Sequence, residues 1–178
     1  MKGTIVKYGL IGGLISVVGF AIALQFAGDP INFNTMEVIG YAVIFLSMLA
    51  IFFGIKEYRD QRSGGSLRFG KGVLVGVGIS VIAALLLGIY TSIHVAWIDP
   101  NFLKNYSAWE IQKIETGDMG GEEKKEAIQK IEEMQTEFKS PLMQLGFSVI
   151  TVLPIGILVS LLSAAILKRG TSQEQQED

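Results

Sequence analysis

Apolar and polar positions along this chain are sorted into long blocks, not interleaved at the period of a half-buried strand or a surface helix. Four stretches, residues 8–27, 36–55, 73–98 and 142–167, are each long enough to cross a hydrocarbon core. Such a core is about 30 Å thick and takes roughly 20 apolar helical residues. The only acidic or basic side chains inside those limits are His94 and, at the very start of the second stretch, Glu37. That sparseness is expected where a central charge costs about 2.5–3.5 kcal/mol on insertion. The third and fourth stretches have 26 residues each. At 1.5 Å per residue they exceed the core thickness, so they tilt or protrude. The pattern predicts an all-α protein built as a four-transmembrane-helix bundle.

Boundary residues agree with this division. Thr35 is placed to cap the second helix, with Glu37 in its first turn; Asp99-Pro100 ends the third, and Ser140-Pro141 puts a cap and a first-position proline at the fourth. Residues 101–139 are charged instead. There Ser107 and Glu110 form a capping-box pattern, S-A-W-E, that predicts a helix ending near Thr116, followed by a turn at Gly117, Gly120 and Gly121. A second helix is expected from about Glu122, with Glu126 and Lys130 as an i,i+4 pair. Its Ile128, Ile131, Met134 and Phe138 recur on one face, to meet Ile111 and Ile114 of the preceding helix. The expected organisation is a single membrane domain over residues 1–169, with an extracytoplasmic helical hairpin between helices 3 and 4 and a polar, disordered cytoplasmic tail at 170–178.

Charge adds an orientation. Nine basic residues (Lys2, Lys7, Lys56, Arg59, Arg62, Arg68, Lys71, Lys168 and Arg169) fall on one side of the four stretches, and they include every arginine. The other six lysines lie between helices 3 and 4, among ten acids from Asp99 to Glu137. Lysine and arginine are retained on the cytosolic side, so both termini and the 56–72 segment are expected there. Lys2 and Lys7 ahead of an apolar run containing Ala21-Ile22-Ala23 also resemble a secretory signal. The run is longer than the usual 7–15 residues, and its glycines suit helix packing, so retention as a helix is expected.

Candidate chemistry changes this picture little. Cysteine is absent, which excludes disulfides, thiolate metal sites and catalytic thiols. Gly65, Gly70 and Lys71 in GGSLRFGKG match the opening of a nucleotide-binding P-loop, but Gly72 stands where Ser or Thr must hold magnesium, and no strand precedes it. The stretch is expected instead to be a basic loop between two membrane helices. Arg59, Arg62, Arg68 and Lys71 suit anionic lipid headgroups there, while also serving orientation alone. His94, near Tyr90 and Asp99, has no second histidine to form a metal site and lies about a turn from its helix end. No catalytic residue, cofactor, metal or nucleic-acid partner is expected. Gly72, Gly76, Ser80, Ala84 and Gly88 recur every four residues on helix 3, the spacing of close helix packing; Gly9 and Gly13, and Gly156, Ser160 and Ala164, repeat it. Pro154 is expected to kink helix 4 near Ile150.

The segments KEYRDQRSGGSLRFGKGVLVG, IDPNFL and SPLMQ, taken as a set, resemble a bacterial membrane family catalogued as domain of unknown function 4199. The resemblance runs over nearly the whole chain. It implies four membrane helices in a bacterial inner membrane, brings no established activity, and implies company with polyprenyl-phosphate sugar transferases. The leading functional expectation is a non-enzymatic component of a membrane complex that contacts lipid or a membrane-protein partner. Two others stay open: a small transporter, flippase or channel subunit, and a helper subunit presenting polyprenyl-phosphate to a glycosyltransferase.

Overall fold

The computed structural model describes residues 1–168; Arg169 and the tail at 170–178 lie outside the described residues. The described residues form six helices and no strand: α1 (Lys2–Ala27), α2 (Phe33–Glu57), α3 (Phe69–Ile93), α4 (Phe102–Thr116), α5 (Gly121–Glu137) and α6 (Pro141–Leu167). α2 and α3 each run on into a π-helical turn, Tyr58–Arg62 and His94–Ile98, whose wider winding has no compositional signature. Four helices, α1, α2, α3 and α6, are long and apolar enough to cross a membrane. The described residues divide into two compact units, 1–87 with 148–168, and 88–147.

On α1 the usual sorting of side chains is inverted. The buried positions of α1 are Thr4, Gly9, Gly12, Gly13, Ser16, Gly19, Ala23 and Ala27, all small. Its large side chains, among them Leu10, Leu14, Val18 and Phe26, point outward. A helix in water buries its large apolar residues. A helix in lipid gains nothing from hiding leucine from other hydrocarbon, and instead brings small residues inward so that backbones approach.

The glycines record the register. A Cβ added at Gly9 would lie 2.6 Å from Ile82, one at Gly13 2.5 Å from Leu86, and one at Gly78 3.0 Å from Ile5. Positions therefore rise together along α1 and α3, which run parallel. Gly12 lies against Ser47 and Ala50 and Gly19 against Val43, so α2 runs antiparallel to α1.

Along α3 and α6 the pairs are Gly72 with Ala164, Gly76 with Ser160 and Ser80 with Gly156. Each step of four up one helix is a step of four down the other, and every glycine faces a serine or alanine. Ser80 and Ser160 are fully buried, and their hydroxyls donate to Gly76 O and Gly156 O of their own helices, at 3.0 and 2.6 Å. They act in the seam as small spacers, with their polarity satisfied locally. Ala84 is buried in the same core, together with Met48, Ile51, Ile55, Val75, Ile79 and Val152 among others. α6 continues through Pro154.

The second unit holds the end of α3, α4, α5 and the start of α6. α4 and α5 follow each other through Gly117–Gly120, and Lys124 Nζ donates to Glu115 O across that turn at 2.8 Å. Ile131 is the most buried residue of α5, whereas Met134, one turn further on, is 43% exposed.

Several caps differ from the sequence reading. α2 begins three residues earlier than Thr35 suggests, capped by Asn32, whose Oδ1 accepts from Thr35 N at 3.2 Å; Glu37 is thus past the first turn. α4 begins at Phe102, so Ser107 and Glu110 lie inside it. Its start is set by Asp99, whose Oδ1 accepts from Asn101 N and whose carbonyl accepts from Phe102 N. An S-x-x-E pattern caps only where the backbone already turns, and here Asp99-Pro100 makes that turn. On α5 Glu122 forms an ion pair with Lys125, at 2.9 Å.

Candidate functional site

The basic end of the first unit is built from the start of α1, the end of α2 and the turn into α3. The exit of α2 is held to α1 by Glu57, whose Oε2 accepts from both Lys7 Nζ and the Tyr8 hydroxyl, the latter at 3.0 Å. Gly54, one turn earlier, leaves room for the Tyr8 ring. Along the sequence Lys7 stands as an orienting charge ahead of an apolar run, and the signal that points to a partner is the lone glutamate inside the basic run KEYRDQR.

After the π-helical turn, Gly64 and Gly65 take positive φ angles of 60° and 85°, and the chain reverses. Gly65 N donates back to Arg59 O at 3.0 Å, and Ser66 Oγ to Ser63 O at 3.1 Å. α3 then starts after Arg68, whose carbonyl accepts from the amides of Lys71 and Gly72.

These elements separate the four basic residues singled out in the sequence. Arg59 is buried, and its Nε donates to Asp60 Oδ1 at 2.6 Å, so its charge is already answered. Arg62, Arg68 and Lys71 are exposed. Of those four, three exposed cations remain, between the turn after α2 and the first turn of α3.

The P-loop resemblance fails on packing as well as on composition. GGSLR joins the turn after α2 to α3, whose first turn is FGKG, so the expected loop is shorter and Lys71 is helical; the position that would hold magnesium is pressed against α6: a Cβ at Gly72 would stand 2.9 Å from Ala164 Cβ. The serine or threonine of a nucleotide site would force the seam open. Gly72, Gly76, Ser80 and Ala84 lie together in the first unit, while Gly88 falls in the second, where its carbonyl accepts from the hydroxyls of Thr91 and Ser92.

In the second unit His94 is buried, stacked on Tyr90 with ring centroids 6.1 Å apart and met edge-on by Phe102 at 5.3 Å. The aromatic series continues through Tyr106 and Trp109 to the Lys113 ammonium, 4.2 Å from the Trp109 ring centre. His94 O accepts from Asp99 N, so those two residues are joined through the backbone at the π-helical turn. Among the described residues no three His, Asp or Glu side chains gather to hold a metal ion.

Four bilayer-length apolar helices, each with large apolar side chains exposed along its length, such as Leu14, Phe45, Leu74 and Leu158, define an integral membrane protein. The family described as "Protein of unknown function (DUF4199)" matches residues 7–169, and the chain belongs to it. No curated protein and no solved structure matches the chain.

Proposed function

We propose that this protein is a non-enzymatic component of a membrane complex in a bacterial inner membrane, contacting anionic lipid through Arg62, Arg68 and Lys71 at its cytosolic end. The observation that carries the reading is the division of the basic cluster. Arg59 is spent on Asp60, and three exposed cations surround the entry of α3 where an apolar span begins. Juxtamembrane cations attract anionic headgroups, and a polyprenyl-phosphate is one lipid of that chemistry. The charge distribution along the sequence supports the orientation, with both termini cytosolic and α4 and α5 forming a hairpin on the far side, within reach of a membrane-protein partner. The lack of cysteine, and the enclosure of the single histidine by aromatic rings, support the absence of catalysis.

The test is lipid retention by the purified full chain in nanodiscs containing phosphatidylglycerol. Neutralising Arg62, Arg68 and Lys71 together, each to Gln, is expected to lower retention roughly tenfold or more. Arg59→Gln is expected to leave it within about twofold, because that guanidinium is already paired. Unchanged retention in the triple variant would end the proposal.

A further inference from the structure

A cleft of about 510 Å³ opens within the second unit, where the turn after α3, the start of α4 and the end of α5 meet. Val95, Ala96 and Leu103 form its apolar wall, and the polar groups are Asn101, Gln135, Lys104 and Lys139. Its charge runs against its surroundings. Residues 99–139 carry ten acids and six lysines, yet the cleft is lined by two of those lysines and by no acid. Of the other four, Lys113, Lys124 and Lys125 have local uses, on Trp109, Glu115 O and Glu122, and Lys130 does not line the cleft. Lys104 and Lys139 make no ion pair among the described residues.

Two ammonium groups on one cleft repel each other unless an anion lies between them. The Asn101 and Gln135 amides add neutral donors beside them. An acceptor that can serve several donors at once fits this arrangement better than a single carboxylate, and a phosphate has that capacity. Leu103 and Lys104 sit in the first turn of α4, whose dipole adds a weaker field of the same sign. The apolar wall bears on the rest of the ligand. Val95 and Ala96 end a bilayer-length apolar run, and the next residue, Trp97, is 80% exposed, as indole rings are where hydrocarbon meets water.

We propose that this cleft binds the phosphate headgroup of an amphiphile, with Lys104 and Lys139 clamping the anion and the apolar wall receiving the adjoining chain. Inorganic phosphate is the other source of the same chemistry. The site is distinct from the basic cluster around Arg62, Arg68 and Lys71, and neither depends on the other.

Lysine acylation kinetics, read residue by residue by mass spectrometry on the full chain in nanodiscs, tests it without altering the protein. In phosphatidylcholine alone, Lys104 and Lys139 should react at the rate of exposed lysines. With phosphatidylglycerol added, both should slow about five- to tenfold while Lys130 changes less than twofold, and Lys139→Gln should abolish the protection at Lys104. Protection by inorganic phosphate alone, and not by the lipid, would identify the soluble source and keep the phosphate site. Equal rates in all arms, or equal slowing at Lys130, would overturn the proposal.

Discussion

Valine at Gly156 or at Gly76 is expected to destabilise the folded protein by about 1–3 kcal/mol, the usual range for forcing extra atoms into a filled core, with the upper end favoured here. The reason is what the new atoms meet. A Cβ at Gly156 collides with Ser80, and one at Gly76 with Ser160, in each case involving the serine Cβ as well as the hydroxyl. No flexible tip can swing away, so one helix must move from the other. Gly40 on α2 has nothing within 4 Å of an added Cβ, and Gly40→Val should shift the thermal midpoint in detergent far less. A compensating pair sharpens the result: Ser80→Gly should recover much of the loss caused by Gly156→Ala, whose added Cβ meets only Ser80 closely, the next atom being Ile51 Cδ1 at 3.9 Å, because contacting residues couple by roughly 0.5–3 kcal/mol. Equal midpoints for Gly156→Val and Gly40→Val would show that the seam is not closely packed.

Arginine on the outer face of the spans should have an effect of similar or larger size. Leu14, Phe45 and Leu158 are 62, 70 and 61% exposed, each well inside its helix. On the surface of a water-soluble protein such changes are usually within about 0.5 kcal/mol and would aid solubility. In a bilayer each costs about 2.5–3.5 kcal/mol near the centre. Leu14→Arg, Phe45→Arg and Leu158→Arg should therefore each reduce the membrane-inserted yield severalfold, measured by carbonate extraction. Gln129→Arg on α5 should leave it unchanged. Normal insertion of all three outer-face variants would contradict lipid exposure at those positions.

What the sequence made legible follows from which forces are local. Membrane length and apolarity need no tertiary information, so four bilayer-length helices could be read directly, and the glycine and serine spacing on helix 3 marked a packing face. The partner of that face could not be read. Periodicity shows which residues share a side of a helix, whereas the match of Gly76 to Ser160 and of Ser80 to Gly156 depends on how two helices slide past each other. The basic cluster was visible as charge, but its division was not, because the Arg59 to Asp60 contact arises at a π-helical turn. The clasp of Lys7 and Tyr8 on Glu57 joins residues about fifty positions apart. The misplaced start of α4 has a different origin. Ser107 and Glu110 carry the right residue types, and Asp99 acts earlier on the chain with better backbone geometry.

Because the chain has no cysteine, single cysteines can report which side of the membrane each end occupies. Gln61 in the turn after α2 and Gln129 on α5 are both exposed, and neither lies in the packed core. The decisive measurement is labelling of Gln61→Cys and Gln129→Cys, separately, with a membrane-impermeant maleimide on intact spheroplasts. Four hydrocarbon-embedded helices with the basic end in the cytosol require label on the α5 variant in intact cells, and on the turn variant only after permeabilisation. Label on the turn variant in intact cells with none on the α5 variant would reverse the orientation. Recovery of both variants in the soluble fraction would remove the membrane altogether.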